Sequence, residues 1–592
     1  MKTNDRKITD LMSTIHTGKT QLPDFQRGWV WDDGRIKALI ASITNGYPVG
    51  AAMFLEYGNE SIHFKSRVVE GVPSADKVIP DELILDGQQR LTSVYSSLFS
   101  EKAVRTRTDK GQEIERFYYI DMVKAVNSTI DRVDSIISVP KDRKITSDFG
   151  RKVELDLSSA SQEYAQNVFP LNIILDPSKY SKWQMDYMQY HQYDSNAAKL
   201  YMDFLSKVIV PLGQYTIPVI TLDKDTPKEA VCQVFENVNT GGVSLTVFEL
   251  VTAIFAMDNF ELRKDWEERQ KKYFSDDILS VTSATDFLTA CTLLSSYKKG
   301  GTVSCKKKDV LNLTLAEYQR YADDLTEGFV EAEKILQEER IFSSKDLPYT
   351  TQLIPLAVLC TLLADHNRIK TTSVKDKIKQ WYWCGVFGEM YGSANETRYV
   401  NDVVGIMEWI ENEVTAPKTV QEAYFNPTRL ITLQTRQSAA YKGIMALILK
   451  NHCKDFISGR EMDFTVYKAE NIDIHHIFPR DYCEKQNYPR EKWNSIVNKT
   501  PITYSTNREI GGVAPSKYLE KIENKGQVNT PALDEYLKSH WIDVDSCRKD
   551  DFDMHIVHRA KMLLDSIEKA TGKSISGRES EDVIRLFGSR LG

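Results

Sequence analysis

Between residues 471 and 525 the chain gathers side chains suited to hydrolysing a phosphate ester. The stretch NIDIHHIFP at 471–479 carries Asp473, His475 and His476 among apolar residues, the pattern of a short hairpin edge holding Asp473 and one histidine toward a cleft. Adjacent histidines on a strand face opposite ways, so a bend at a metal site lets one imidazole bind a cation while its neighbour faces a water. Phosphodiester hydrolysis needs an activated water, in-line geometry and positive charge on the phosphoryl and leaving oxygens. Mg²⁺ prefers oxygen ligands and keeps several waters. One histidine and one asparagine carbonyl, with or without Asp473, therefore form a sufficient set, and Asn498, Asn507 and the helix-like SKYLEKIEN follow in order. His555 and His558 have helical i, i+3 spacing but no third ligand nearby in sequence, and read as an ordinary helix surface.

A second constellation lies at 83–98, LILDGQQRLTSVYSSL. An apolar strand leads through an Asp86-Gly87 turn into a helix with Leu91, Val94, Tyr95 and Leu98 on one face. Gln88, Gln89 and Arg90 then occupy the first helical turn, where free N–H groups and the positive helix end attract phosphate and Arg90 adds a fork-shaped donor. Asp86 is placed to hold a cation or orient a water. The aromatics Phe25, Trp29 and Trp31 could stack a base but read as core. No Walker-type G-x-x-x-x-G-K-[ST] occurs, so any nucleotide hydrolysis uses this different site.

These residues need elements to hold them. Residues 51–57, 83–85, 117–122 and 215–222 read as strands, and Ile36, Leu39, Ile40 and Ile43 share a helix face capped by Asp32 or Asp33 and stopped by Gly46. From about 284 to 414 the pattern is almost wholly helical, with segments at 315–336, 353–363 and 374–388; a further helix near 438–451 precedes the 471–524 strand-loop-strand-helix pattern. The expected fold class is α+β, predominantly helical, divided as 1–290, a helical connecting region 291–420, and 421–592.

The 592 residues are too many for one core of ordinary size, and 41% hydrophobic with 27% charged residues is the balance of a folded chain. A net charge of −7 argues against a protein that coats nucleic acid, yet a nuclease needs only a local basic surface, and residues 480–525 hold nine Lys/Arg against six Asp/Glu. Eight scattered cysteines without a C-x-x-C pair indicate neither a disulfide framework nor a zinc knuckle. Neither a signal-peptide stretch nor an uncharged run of ~20 residues is present, so the reading is cytoplasmic, with no membrane partner.

The C-terminal residues resemble the HNH nucleases, in particular the H-x-x-P branch of GmrSD-type modification-dependent (type IV) restriction enzymes in their BrxU-like single-chain form. His476-Ile477-Phe478-Pro479 matches the H-x-x-P box. The resemblance implies a ββα-metal domain in which His476 is the general base, His475 and Asn507 are metal ligands with Asp473 a further candidate, Asn498 orients the base, and Lys517 contacts phosphate. At the other end, Asp86-Gly87-Gln88-Gln89-Arg90 resembles the DGQQR signature of that family's ParB/sulfiredoxin-like domain; LPDFQRGWVW at 22–31 and FENVNTGGVSLTVFEL at 235–250 resemble its flanking motifs. By this likeness Arg27, Asp86, Gln88, Gln89, Arg90, Asn237, Asn239, Thr240 and Gly241 bind a nucleoside triphosphate, ATP or GTP, with Asp86 in its hydrolysis.

The resemblance implies a nucleotide-regulated DNA endonuclease using Mg²⁺ or Mn²⁺ against modified phage DNA, such as glucosylated or hydroxymethylated cytosine, with a homodimer as one expected assembly. Two alternatives stand beside it: a phosphorothioate-sensing defence nuclease, and a nucleotide-hydrolysing DNA-binding sensor that does not cleave.

Overall fold

The structure is a computed structural model that describes residues 2–24, 26, 28–58, 64–73, 78–147, 152–227, 230–231, 246–256, 258–275, 277–393, 395–412, 415–525 and 528–592. It is mixed α/β and about 55% helical, with several small sheets. The chain divides into two compact units, residues 1–261 and 262–592.

The first unit is built on a six-stranded mixed sheet in the order Lys2–Lys7, Thr216–Leu222, Ala52–Glu56, Glu82–Asp86, Thr20–Pro23, Ser66–Arg67. Thr216–Leu222 runs parallel to Ala52–Glu56, and Thr20–Pro23 parallel to Glu82–Asp86. Ala52–Glu56 and Glu82–Asp86 contribute almost continuous apolar stretches to the core, as strands covered on both faces do. Helix Asp33–Thr44 forms where expected: Asp32 accepts the Arg35 amide at 2.9 Å, and Ile36, Leu39, Ile40 and Ile43 are buried. Trp29 and Trp31 pack partly buried against the core.

In the second unit, helix Leu315–Glu338 starts from a Thr314/Glu317 capping box and buries Tyr318, Ala322, Leu325, Phe329, Ala332 and Leu336 along one stripe. It packs on Leu353–Leu362, which is apolar all round and accordingly interior. Helix Thr372–Phe387 packs against both Ala439–Lys450 and Phe552–Thr571. These two in turn back a β-hairpin, Ile472–His476 with Lys499–Thr503, the first against Lys499–Thr503 and the second against the 3₁₀ turn Ile496–Asn498. All seven described cysteines are unpaired and buried, and among the described residues no helix is long and apolar enough to cross a membrane.

Candidate active site

The hairpin register is Ile472 opposite Thr503, Asp473 opposite Ile502, Ile474 opposite Pro501, His475 opposite Thr500 and His476 opposite Lys499. Strand alternation puts Asp473 and His475 on one face and His476 on the other. On the first face stands the short helix Tyr504–Ile510, N-capped by Thr503 and ended by Gly511 at φ +72, which carries Asn507. Asn507 Nδ2 donates to Asp473 Oδ2 at 2.7 Å, which turns its Oδ1 toward His475 Nδ1, 2.9 Å away. The GGVAP segment separates this helix from a second one, Pro515–Asn524. Lys517 lies on that second helix, its Nζ 3.2 Å from Glu520 in an exposed pair.

His475 is only 3% exposed and enclosed by Phe456 and Tyr518. Burial pushes its pKa down to about 4, so the ring is neutral at physiological pH and has a lone pair to give. Its buried Nε2 has no hydrogen-bond partner within the protein. As the structure stands, His475 Nδ1–H donates to Asn507 Oδ1; with the proton moved to Nε2, Nδ1, Asn507 Oδ1 and the Asp473 carboxylate would fit one divalent cation that keeps waters in its other positions. The set is sparse: among the described residues no three His, Cys, Asp or Glu side chains gather.

On the opposite face, His476 Nε2 lies 3.3 Å from Asn494 Oδ1, with the ring edge-on to Trp493. Asn494 Nδ2 points at Gln434 Oε1, 3.5 Å away, which fixes the amide so that its oxygen meets the imidazole. His476 therefore carries its hydrogen on Nε2 and its lone pair on Nδ1. Burial lowers this pKa too, which keeps the ring in the base form. Lys499, opposite His476, donates to Gln434 O at 2.8 Å, and burial pulls its pKa down to about 8.

Asn498 does not touch the imidazole. It is fully buried, accepts the Phe478 amide at 2.9 Å on Oδ1, and donates through Nδ2 to Phe478 O and Trp493 O, each at 2.9 Å. It fastens the backbone of the H-x-x-P box at Phe478 to Trp493. Tyr518 OH adds a bond to Ile477 O at 3.0 Å. His555 is buried against the Phe478 ring rather than on the helix surface.

In the first unit, Glu82–Asp86 leads through Gly87 (φ +90) into helix Gln88–Val94, as the sequence pattern predicts. The side chains there are engaged with backbone. Arg90 donates to Val49 O at 2.5 Å and Ala51 O at 2.8 Å, with Nη2 also 3.2 Å from Asp86 Oδ2. Gln89 accepts from Val30 N at 3.0 Å and donates to Gly28 O at 3.3 Å, and Gln88 is buried. Gln26 donates to Ile84 O and Leu85 O. Gln89 and Arg90 thus tie Gly28, Val30, Val49 and Ala51 to the start of this helix, and a phosphate would compete with carbonyls for Arg90. Phe25, Arg27, Asn237, Asn239, Thr240 and Gly241 lie outside the described residues.

Residues 8–256 match the GmrSD restriction endonuclease N-terminal domain. The match covers less than half of the chain and shows a likeness of residues 8–256 to that domain. Over 609 aligned positions the chain is also 26% identical to an uncharacterized protein of Methanocaldococcus jannaschii, covering 95% of this chain and 98% of that protein. The hairpin and its ligand set lie beyond residue 256, outside the matched domain.

Sequence reasoning missed Asn494, Gln434, Tyr518 and Arg436 as site residues. Arg436 reaches Asp473 Oδ1 at 3.4 Å from 37 residues upstream. Ordinary residue types at no motif spacing leave no signal of such contacts.

Proposed function

We propose that this chain is an HNH-type, divalent-metal-dependent DNA endonuclease acting as a type IV restriction enzyme on modified phage DNA, with cleavage governed by a nucleoside triphosphate. The observation that carries the reading is the contact sequence Asp473–Asn507–His475 on one hairpin face, with a neutral His476 on the other. His475, Asn507 and Asp473 would hold Mg²⁺ or Mn²⁺, which when bound would supply positive charge for the phosphoryl and leaving oxygens. His476 takes a proton from the attacking water at Nδ1, while Asn494 holds its Nε2–H. Asn498 keeps the loop that carries His476 in one geometry, and Lys517 contributes a cation for flanking phosphate. In the first unit, Asp86, Gln88, Gln89 and Arg90, with Arg27, Asn237, Asn239, Thr240 and Gly241, form the nucleotide site.

The test is cleavage of glucosylated, hydroxymethylated, phosphorothioated and plain DNA with Mg²⁺ or Mn²⁺ and each nucleoside triphosphate. The expected result is metal-dependent cutting of modified DNA that is lost in His476→Ala, with nucleotide hydrolysis retained. Selective cutting of phosphorothioated DNA would move the substrate. Hydrolysis without any cutting by the wild type would make the protein a sensor.

A further inference from the structure

The segment 433–438, LQTRQS, joins the short helix Arg429–Thr432 to helix Ala439–Lys450 and lies outside every motif singled out above. It is strapped along the hairpin. Leu433 O accepts from Ile496 N at 2.8 Å, Gln434 O from Lys499 Nζ at 2.8 Å, and Gln434 Oε1 meets the same Asn494 amide that holds His476. Two residues on, Arg436 reaches the other face and sets Nη2 3.4 Å from Asp473 Oδ1. The segment therefore touches the partner of the base and a candidate metal ligand at once.

Arg436 is poorly used by the folded chain. Its side chain is 63% exposed, and the contact with Asp473 engages one of its N–H groups at a long distance. Exposed pairs of this kind contribute little to stability and exchange readily. Asp473 has its other oxygen occupied by Asn507, and loses its need for a counter-charge when a cation arrives. A planar guanidinium at the site rim, on a segment held by the Leu433 and Gln434 carbonyls and with most donors free, matches the two oxygens of a phosphodiester.

We propose that Arg436 is a substrate-binding residue of the nuclease site, whose guanidinium leaves Asp473 for a DNA backbone phosphate when Asp473 takes up a cation. The proposal rests on the nuclease reading above. It adds a residue from a separate segment, and it makes cation and DNA binding mutually supportive, because the cation releases the group that holds the phosphate.

The experiment compares wild type, Arg436→Gln and Arg436→Lys in the full chain. Equilibrium binding of a labelled duplex is followed across a salt series with and without Mg²⁺, and steady-state cleavage is measured alongside. Arg436→Gln should weaken DNA binding in Mg²⁺ by roughly 5- to 50-fold, lower the salt slope by about one charge, and raise KM more than it lowers kcat. The loss should be smaller in EDTA, where Asp473 still competes for the guanidinium. Arg436→Lys should restore the salt slope but only part of the affinity, since a point charge lacks the fork. Unchanged affinity and slope in Arg436→Gln would overturn the proposal, and so would a change confined to the Mg²⁺ dependence of cleavage, which would make Arg436 only a counter-ion of Asp473. His476→Ala, run in parallel, separates the two levels. If it cleaves like wild type, the nuclease site itself is wrong; if it is dead while Arg436→Gln binds and cleaves normally, only the role of Arg436 fails.

Discussion

Asn498 offers the sharpest test of how the candidate site is held. Its carboxamide is fully buried and makes three bonds of 2.9 Å, all to backbone: one from Phe478 N and two to Phe478 O and Trp493 O. Replacement by alanine strands three buried polar groups. Each stranded group costs about 1–3 kcal/mol, and Phe478 O keeps the Cys483 thiol at 3.4 Å, so the local loss should come to about 3–5 kcal/mol. Asn498→Asp should be at least as damaging near neutral pH, because a carboxylate oxygen would face two carbonyl oxygens, and milder in acid, where a protonated carboxyl restores one donor. The effect is local, so hydrogen exchange of the peptides spanning 472–480 is the suitable assay, together with DNA cleavage. Ile477 N, bonded to Asn498 O at 2.9 Å, and Phe478 N should lose protection in the alanine variant, while cleavage falls on the order of 100-fold from a displaced base. Wild-type protection with cleavage within twofold would show that the H-x-x-P loop is fixed by something other than this amide.

Asn494→Ala frees the His476 ring to change tautomer and should lower kcat about 10- to 100-fold with little change in thermal midpoint; Asn494→Asp, which keeps an oxygen acceptor, should recover part of it, and equal losses in both would point to packing instead. Asp455 is buried and accepts from Ser458, Thr503 and Thr506, and although burial pushes its carboxyl up, these bonds hold it below its ordinary range. A depressed carboxyl contributes stability that is fully present above about pH 4 and is lost as pH falls through the lower folded value. Thermal midpoints of wild type should therefore drop more steeply than those of Asp455→Asn below pH 4, and parallel curves would contradict the assignment.

Local pattern explains most of what was legible. Apolar period fixed the helices at Asp33–Thr44, Leu315–Glu338, Leu353–Leu362 and Ala439–Lys450 to within a few residues, and the strand-turn-helix at Asp86 appeared as expected. In the C-terminal constellation, the pattern of 472–476 left open which histidine joins Asp473, and the strand register puts His475 on its face. Bond partners were not legible. Nothing in DGQQR says that Arg90 spends its fork on Val49 and Ala51, because those carbonyls meet it only after the sheet order is set. The same holds for Arg436, which a loop brings to Asp473 across the hairpin edge. Residue type and spacing identify groups capable of chemistry, whereas the contacts that orient them arise between distant segments.

Arg559 shows how far that dependence extends. It lies on helix Phe552–Thr571, is fully enclosed, and donates through Nη2 to Lys499 O at 2.9 Å, on the residue opposite His476. Burial lowers its pKa to about 9, so it remains a cation at neutral pH. An enclosed cation is expensive unless it is paired and hydrogen-bonded, and here Nε and Nη1 have no hydrogen-bond partner. Around it stand His475, His540 and His555, all buried, and in each the guanidinium adds to burial in driving the proton off. Of these, His540 bonds Thr500 through Nδ1 at 2.6 Å and Lys454 O through Nε2 at 2.8 Å, so it braces the hairpin residue facing His475. Deprotonated rings can accept a bond or a metal; protonated ones would repel both each other and a bound cation. The guanidinium therefore fastens the second hairpin strand by a charge-assisted bond, and its charge adds a small push to the burial that already keeps His475 neutral.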